Sequence, residues 1–550
     1  MIPVKLFHVF LVSLFSAIVL IPPISKLAVS MGMLDLPDER KAHAHETPRL
    51  GGFAIFFAFL LALLLFADFN QQTRGFLTGA VIIFLTGLAD DLVGLTPKKK
   101  FVGEIIATVC AVVVGQVSLV SLGNLFGSGE IELGPFAIPF TVLAMVGVIN
   151  AINMLDGLDG LAGGVSAIAL GAIGLLAFIS GNHPLLLMAV ALLGALLGFL
   201  KYNSYPASIF MGDAGSLLLG YSLGFFSVTL VVQGNQVISE VSPFIILAVP
   251  ILDTLFVMCK RLRSGKSPFA PDRSHVHHRL LGFGFGHKAS VVIVYGATYI
   301  LAFFAVFCYR LADRWQAVAL ALVTLLFCLT SWFLEKKRLA GYFRFLRSNQ
   351  PLRQTRSYRR LVGCAHRLRV AAKYLILAIL LLSVFSPADP ASNAPVVAGF
   401  LCVLSLFLFV ARGAWNRFLL FVLYFDGAFL IYLTENFGRE MTIGGVPLIW
   451  ITSALFFLLF VIAGTKVFLR RRIGSMTTSP LEYLILFIVI SVPLLPERLI
   501  GHHHILTVTG KSIILFVGYR LVLMREAKRN RKILAATFGV MLVIALKGLF

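Results

Sequence analysis

Two amides and two carboxylates stand three residues apart in Asn150-Ala-Ile-Asn153-Met-Leu-Asp156-Gly-Leu-Asp159-Gly-Leu161, at the end of an apolar run. Residues three apart share a helix face or a tight turn. Polar groups at membrane depth are costly and are usually functional. Four of them facing one way suit a cation or a phosphate-bearing ligand, and Gly157 and Gly160 let backbone come close to it. Polar glue between helices is the structural alternative.

Further stretches carry groups of the same kind. The adjacent carboxylates Asp90 and Asp91 repel one another, and a cation or a proton relieves that repulsion. They read as Mg²⁺ ligands, or as a ligand and a base, against a plain helix-end charge pair. Lys98, Lys99 and Lys100 follow closely and supply opposite charge. In Phe210-Met211-Gly212-Asp213-Ala214-Gly215-Ser216, Asp213 opens a helix. There it can cap the N-terminus or hold a metal that bridges to a diphosphate. Arg40, Lys41 and His43, followed by Pro48-Arg49-Leu50-Gly51-Gly52, offer phosphate contacts and a tightly packed helix entry. In Asp272-Arg273-Ser274-His275-Val276-His277-His278-Arg279, zinc is one reading of the imidazoles. The flanking guanidiniums favour an anionic phosphate instead. Asp253 is an isolated acid at membrane depth, with structural and functional readings evenly weighed. Asp426 is a buried acid of the second half with no role assigned, and His502-His503-His504 reads as a surface loop.

The composition says what these groups sit in. Of 550 residues, 59% are hydrophobic and 13% charged, which excludes a soluble domain and fits a polytopic membrane protein. The net charge of +22 suits loops on one membrane side, anionic lipids and phosphate-bearing substrates. Nucleic acid is excluded as a partner, because the loops are too short to build a domain for it. The six cysteines are scattered, so neither a zinc ribbon nor a disulfide framework is expected. The first apolar segment has no cleavage site and reads as a retained helix.

Runs long enough to span a bilayer fall near 6–24, 50–67, 75–90, 101–122, 136–153, 161–180, 184–200, 214–232, 243–260, 289–310 and 315–334. Seven more follow near 371–386, 395–411, 418–434, 447–466, 481–496, 510–524 and 533–549. The expected fold is all-α and polytopic: about eleven helices in a domain over 1–340, then about seven in an extension over 341–550. Lys and Arg concentrate in one set of alternate loops, which places those loops in the cytoplasm and both termini outside. Every cluster named above but the lone Asp426 and the His502 triplet falls at that cytoplasmic face. The boundary at 335–370 is the most basic run and reads as a contact for anionic headgroups or for a partner protein. Acids for a divalent metal and bases for phosphates on one face imply chemistry on a diphosphate. With no soluble domain to enclose the site, the second substrate is expected to be lipidic.

The motifs RKxH…PRxGG, DD, NxxNxxDGxDGL, FMGDxGS and DRxHxHH, in this order over residues 1 to about 340, resemble the polyprenyl-phosphate N-acetylhexosamine-1-phosphate transferase family. The HVHH loop is similar to the bacterial undecaprenyl-phosphate GlcNAc-1-phosphate transferase branch, less so to the branch that handles MurNAc-pentapeptide. The resemblance implies transfer of a sugar 1-phosphate from a UDP-N-acetylhexosamine to polyprenyl phosphate, with release of UMP, in a bacterial plasma membrane. It implies Mg²⁺, or Mn²⁺ in its place, held by Asn153 and Asp213. Asp90 and Asp91 would be the catalytic pair, and Asp156 and Asp159 would line the nucleotide and metal region. His275, His277, His278 and Arg273 would contact the diphosphate or stabilise the leaving group. Arg40, Lys41, His43 and Asn150 would bind substrate. A lipid-linked sugar transporter or scaffold on the same fold is the alternative function. The sequence is compatible with a homodimer and with downstream glycan-assembly partners, and the family leaves 341–550 unexplained.

Overall fold

A chain that crosses a bilayer must satisfy its backbone internally, and the apolar runs of this one do so as helices. The computed structural model describes residues 2–35, 46–233, 237–267, 274–335, 356–386, 394–410, 416–438, 441–473, 505–523 and 531–547. Arg40, Lys41, His43, Arg273, the His502 triplet and the span expected at 481–496 lie outside them. The described residues hold nineteen helices. Nine of these are long and apolar enough to cross a membrane. The protein is an all-α, multi-pass membrane protein. The described residues fall into two compact units, one within Met1–Ser348 and the other beyond Asn349.

The first unit runs α1 (Ile2–Ser30), α2 (Gly51–Phe66), α3 (Gln71–Val93), α4 (Pro97–Gly115), α5 (Ala137–Leu155), α6 (Leu161–Ile179), α7 (His183–Asn203) and α8 (Gly212–Val232). It continues with α9 (Ser242–Ile246), α10 (Ala248–Arg263), α11 (Val276–Phe283), α12 (His287–Phe307) and α13 (Asp313–Glu335). Each of the eleven expected spans coincides with a helix, except that the run at 243–260 is split at Leu247 into α9 and α10. Pro250 stands in the first turn of α10. It has no N–H for the Ile246 carbonyl and its ring crowds that group, so a continuous helix is broken there. The short helix α11 was not foreseen, because eight residues rich in His and Arg carry no apolar period.

α8 is the centre of this unit. It is buried along nearly its whole length and packs on α2, α3, α5, α6, α7 and α9. Without a hydrophobic drive between helices in lipid, close packing of small residues holds such a helix. α8 supplies them at Gly212, Ala214, Gly215, Ser216, Gly220 and Gly224. The segment entering α8 is held by the start of α2. The Gly51 N–H donates to the Phe210 carbonyl at 2.8 Å and the Gly52 N–H to the Met211 carbonyl at 2.7 Å. A two-residue antiparallel pair, Leu34–Asp35 with Thr47–Pro48, closes the base of the loop before α2.

The second unit contains α14 (Arg356–Leu382), α15 (Ala394–Val410), α16 (Asn416–Phe437), α17 (Leu448–Ile473), α18 (Ile505–Leu523) and α19 (Arg531–Lys547). α18 lies among α14, α16 and α17, and α15 packs on α19. The helix expected at 371–386 begins fifteen residues earlier, so Arg356, Arg359, Arg360, Arg367 and Arg369 belong to α14 rather than to a loop.

The α2–α8 junction leaves no room for a side chain at Gly52, where an added Cβ would stand 2.2 Å from the Gly215 nitrogen. Gly52→Ala is expected to cost about 1–3 kcal/mol through the backbone shift it forces. Thermal unfolding in detergent should show this loss beside Gly171→Ala, whose Cβ meets nothing within 4 Å.

Candidate active site

The ends of α3, α4, α5, α6 and α8 meet around five carboxylates, Asp90, Asp91, Asp156, Asp159 and Asp213. Asp91, in the last turn of α3, accepts from the Asp213 N–H at 2.8 Å and the Ala214 N–H at 2.9 Å, one with each oxygen. It therefore caps α8 from another helix, answering orphan N–H groups and the positive end of the helix dipole together. Asp90 accepts from the Leu95 N–H at 2.7 Å and turns its other oxygen to the Lys100 ammonium at 3.0 Å. Lys100 also donates to Asp213 at 2.6 Å, so one cation from the first turn of α4 bridges the DD pair and the FMGD acid. Asn153 donates to Asp213 at 2.6 Å and to the Ser216 hydroxyl at 2.8 Å.

One turn earlier on α5, Asn150 donates to Glu104 at 2.5 Å. Glu104 is buried one turn beyond Lys100 on α4. The two asparagines thus address different helices, Asn150 facing α4 and Asn153 facing α8. They also line different spaces. Asn153 lines a polar pocket of about 490 Å³ with Arg49, Asp156, Asp159, Asp213 and His278. Asn150 lines an apolar groove of about 320 Å³ with Phe101, Met154, Val228, Phe244 and Leu255.

After α5 ends, the chain turns so that Asp159 accepts from the Ala207 N–H at 2.9 Å. The Gly160 N–H donates to Asn203 at 3.0 Å. Burial, helped by the charge of Asp213, pushes the Asp156 carboxyl up to about 7. Arg49 is paired with Asp35 at 3.5 Å at the pocket edge. The site holds more negative than positive charge.

The histidine loop closes over this turn by two attachments. His277 packs its ring on Gly157, where an added Cβ would lie 2.3 Å from its Nε2. Gly157 is needed there for close approach. Burial and the neighbouring His278 pull the His277 imidazole down to about 3, so it is neutral. The second attachment is Asp253 of α10. Its carboxylate meets His275 Nδ1 at 2.9 Å, accepts from Arg279 Nη2 at 2.8 Å and accepts from the Val276 N–H at 2.8 Å. The Arg279 guanidinium also lies over the Phe256 ring, 4.6 Å from its centroid. The isolated acid of the sequence is therefore the anchor of the HVHH loop, and of its three imidazoles His278 is the one on the pocket wall.

The structure brings together Asp90, Asp91, Asn150, Asn153, Asp156, Asp159, Asp213 and His278, with His275 and His277 behind the wall. Sequence reasoning treated Lys100 as diffuse compensating charge and missed Glu104. The signal for Glu104 was available: an acid four residues after a lysine in an otherwise apolar helix is costly unless it is engaged.

Removing Asp253 would leave Arg279 and His275 buried without their partner. Asp253→Ala is expected to cost about 3–5 kcal/mol, the penalty for half of a buried ion pair. Asp253→Asn keeps the shape and should lose less. Thermal unfolding in detergent ranks the two, and equal losses would sink the anchor assignment.

Comparison with known proteins bears on the same residues. The profile of glycosyl transferase family 4 matches residues 73–231, from α3 through α8. A probable undecaprenyl-phosphate N-acetylglucosaminyl 1-phosphate transferase of Bacillus subtilis is 36% identical over 326 residues, 59% of this chain and 90% of the relative. A decaprenyl-phosphate N-acetylglucosaminephosphotransferase of Mycolicibacterium smegmatis is 38% identical, over 50% of this chain and 75% of the relative. An undecaprenyl-phosphate alpha-N-acetylglucosaminyl 1-phosphate transferase of Yersinia pestis is 33% identical, over 56% and 86%. With nearly the whole of such a relative matched and its own carboxylates gathered at one pocket, the chain belongs to the polyprenyl-phosphate N-acetylhexosamine-1-phosphate transferase family.

Proposed function

We propose that this protein transfers an N-acetylhexosamine 1-phosphate, foremost GlcNAc 1-phosphate, from a UDP-sugar to polyprenyl phosphate and releases UMP. The observation that carries this reading is the step between Asn150 and Asn153. One helical turn separates an apolar groove from a pocket lined by acids, a guanidinium and an imidazole. A lipid phosphate fits that junction, with its chain along the groove and its charged end toward Lys100 and the pocket.

In the reaction an oxygen of the lipid phosphate attacks the sugar-bearing phosphorus, and the anhydride bond to UMP breaks. Little covalent chemistry falls to the protein, which positions the two anions and offsets their charge. Lys100 faces the incoming phosphate from beside Asp90. Asp91, with both oxygens on α8, fixes Asp213 in place. Arg49 and His278 face the diphosphate. Arg40, Lys41, His43 and Arg273 would bind the anionic substrates in this reading.

The donor set fits Mg²⁺. It is made of carboxylate and amide oxygens, the hard ligands this ion takes. Lys100 already stands where a cation offsets Asp90 and Asp213. Asp213 and Asn153 would hold the ion, with Asp156 and Asp159 near it. Bound there, it would supply charge neutralisation on the diphosphate. The concentration of Lys and Arg in alternate loops supports a cytoplasmic site in a bacterial plasma membrane, with the N-terminus outside.

The test uses the full chain in detergent with undecaprenyl phosphate and a panel of UDP-sugars, following UMP release. Release with UDP-GlcNAc, abolished by EDTA and restored by Mg²⁺, is expected. Asp90→Asn, Asp213→Asn and Lys100→Met should each slow it by roughly 100-fold or more, the scale of losing a positioned charge-stabilising group. No release with any sugar, from protein that still binds UDP, would overturn the transferase reading in favour of a transporter.

A further inference from the structure

α16 of the second unit is apolar in its middle except for Asp426. That side chain is wholly buried. Its Oδ2 accepts from the Ser405 hydroxyl of α15 at 2.8 Å. Its Oδ1 has no hydrogen-bond partner among the described residues. α18 presses against α16 at this level, since a Cβ on Gly427 would stand 2.5 Å from Leu515 Cδ2 and 3.5 Å from the Tyr519 hydroxyl.

Among the described residues, the groups facing Asp426 offer no positive charge. α15 brings Cys402 and α18 brings Tyr519, both buried, with the Tyr424 ring against Tyr519. α19 brings Thr537, whose hydroxyl is bonded to the Ile533 carbonyl. The ammonium of Lys547, near the end of α19, is held by the carbonyls of Val384 and Ser386 at 2.6 and 3.2 Å. Lys511 of α18 is engaged by Glu435, farther along α16, and donates to Ser453 at 2.8 Å. The same helix thus carries two buried acids under opposite conditions. Among the described residues, Glu435 has a cation and Asp426 has none.

A buried carboxylate with a single hydroxyl donor is strongly disfavoured as an anion, and an acid inside a membrane bundle is more often functional than structural. We propose that Asp426 is a proton-binding site, with the proton on Oδ1, and that it gives the second unit a proton-linked function separate from phosphoryl transfer. A proton fits better than Na⁺, which needs several oxygen ligands where, among the described residues, Ser405 alone is bonded to the carboxylate.

The experiment is infrared difference spectroscopy of the full chain in lipid nanodiscs, between acid and alkaline pH. A carbonyl-stretch band of a protonated, buried carboxyl is expected. It should vanish in Asp426→Asn and move to higher frequency in Ser405→Ala, where the Oδ2 hydrogen bond is gone. The Ser405 arm keeps the test valid if Asp426→Asn does not fold. Asp426→Asn should release UMP at the wild-type rate. A spectrum identical in wild type and both variants, a band that responds to Na⁺ at fixed pH, or loss of UMP release in an Asp426→Asn protein that unfolds at the wild-type temperature would each overturn the proposal.

Discussion

Crowded negative charge at the edge of a membrane is the constraint from which the rest of the first unit follows. Asp90, Asp91, Asp156, Asp159 and Asp213 meet where the ends of five helices converge, with Lys100 and Arg49 as the nearby cations of the described residues. Such a cluster stands only if each acid is given its own compensation. Asp91 takes two backbone N–H groups of α8, Asp159 takes the Ala207 N–H, and Asp90 and Asp213 share Lys100. Asp156 is left to burial and to the field of its neighbours, and its carboxyl rises to about 7. The compensation is structural, since its bonds tie helix ends and the turns between them to one another. The same groups that make the pocket acidic also position α8 against α3, α4 and α5.

That double use explains what could be seen from the sequence. The NxxNxxDGxDGL, DD and FMGD stretches were legible because amides and acids in apolar runs are conspicuous and their spacing implies one face. The eleven spans were legible because lipid imposes a length on apolar helices. Pairing across elements was not. Nothing in the local sequence joins Lys100 to Asp213 across 113 residues, or Asp253 to His275 and Arg279 in another helix. The break at Leu247 is half legible, since Pro250 stands in the run but the length of that apolar run points to one helix. α11 carries no period to read, because its order comes from Asp253 and from Gly157, both outside it.

The histidine loop illustrates how a motif divides its labour. Four polar residues in a row, HVHHR with its valine aside, look like one ligand-binding set. In the fold, His275 and Arg279 turn inward to Asp253, His277 lies neutral on Gly157, and His278 reaches the pocket. Spacing accounts for this, because His275, just before α11, and Arg279 within it are one turn apart and share a face. Residue 278 falls on another face. A run of like residues on a short helix is thus sorted by geometry into anchors and a group that meets the ligand.

The second unit meets the same constraint by different means. Its buried charges lie within spanning helices rather than at a shared end, and they are few. Glu435 and Lys511 satisfy one another, with Ser453 bonded to the ammonium and the Phe456 ring near it at 5.6 Å. A closed pair of this kind has little to offer a ligand, because both charges already face their partners. Asp426 is not closed in that sense. One oxygen is satisfied and the other is not, in a buried place that holds no cation among the described residues. In the first unit an excess of acid gathers beside a pocket, where a substrate cation complex can correct it. In the second, the excess is one carboxyl within a packed seam of α15, α16 and α18, where the smallest cation is the one that fits.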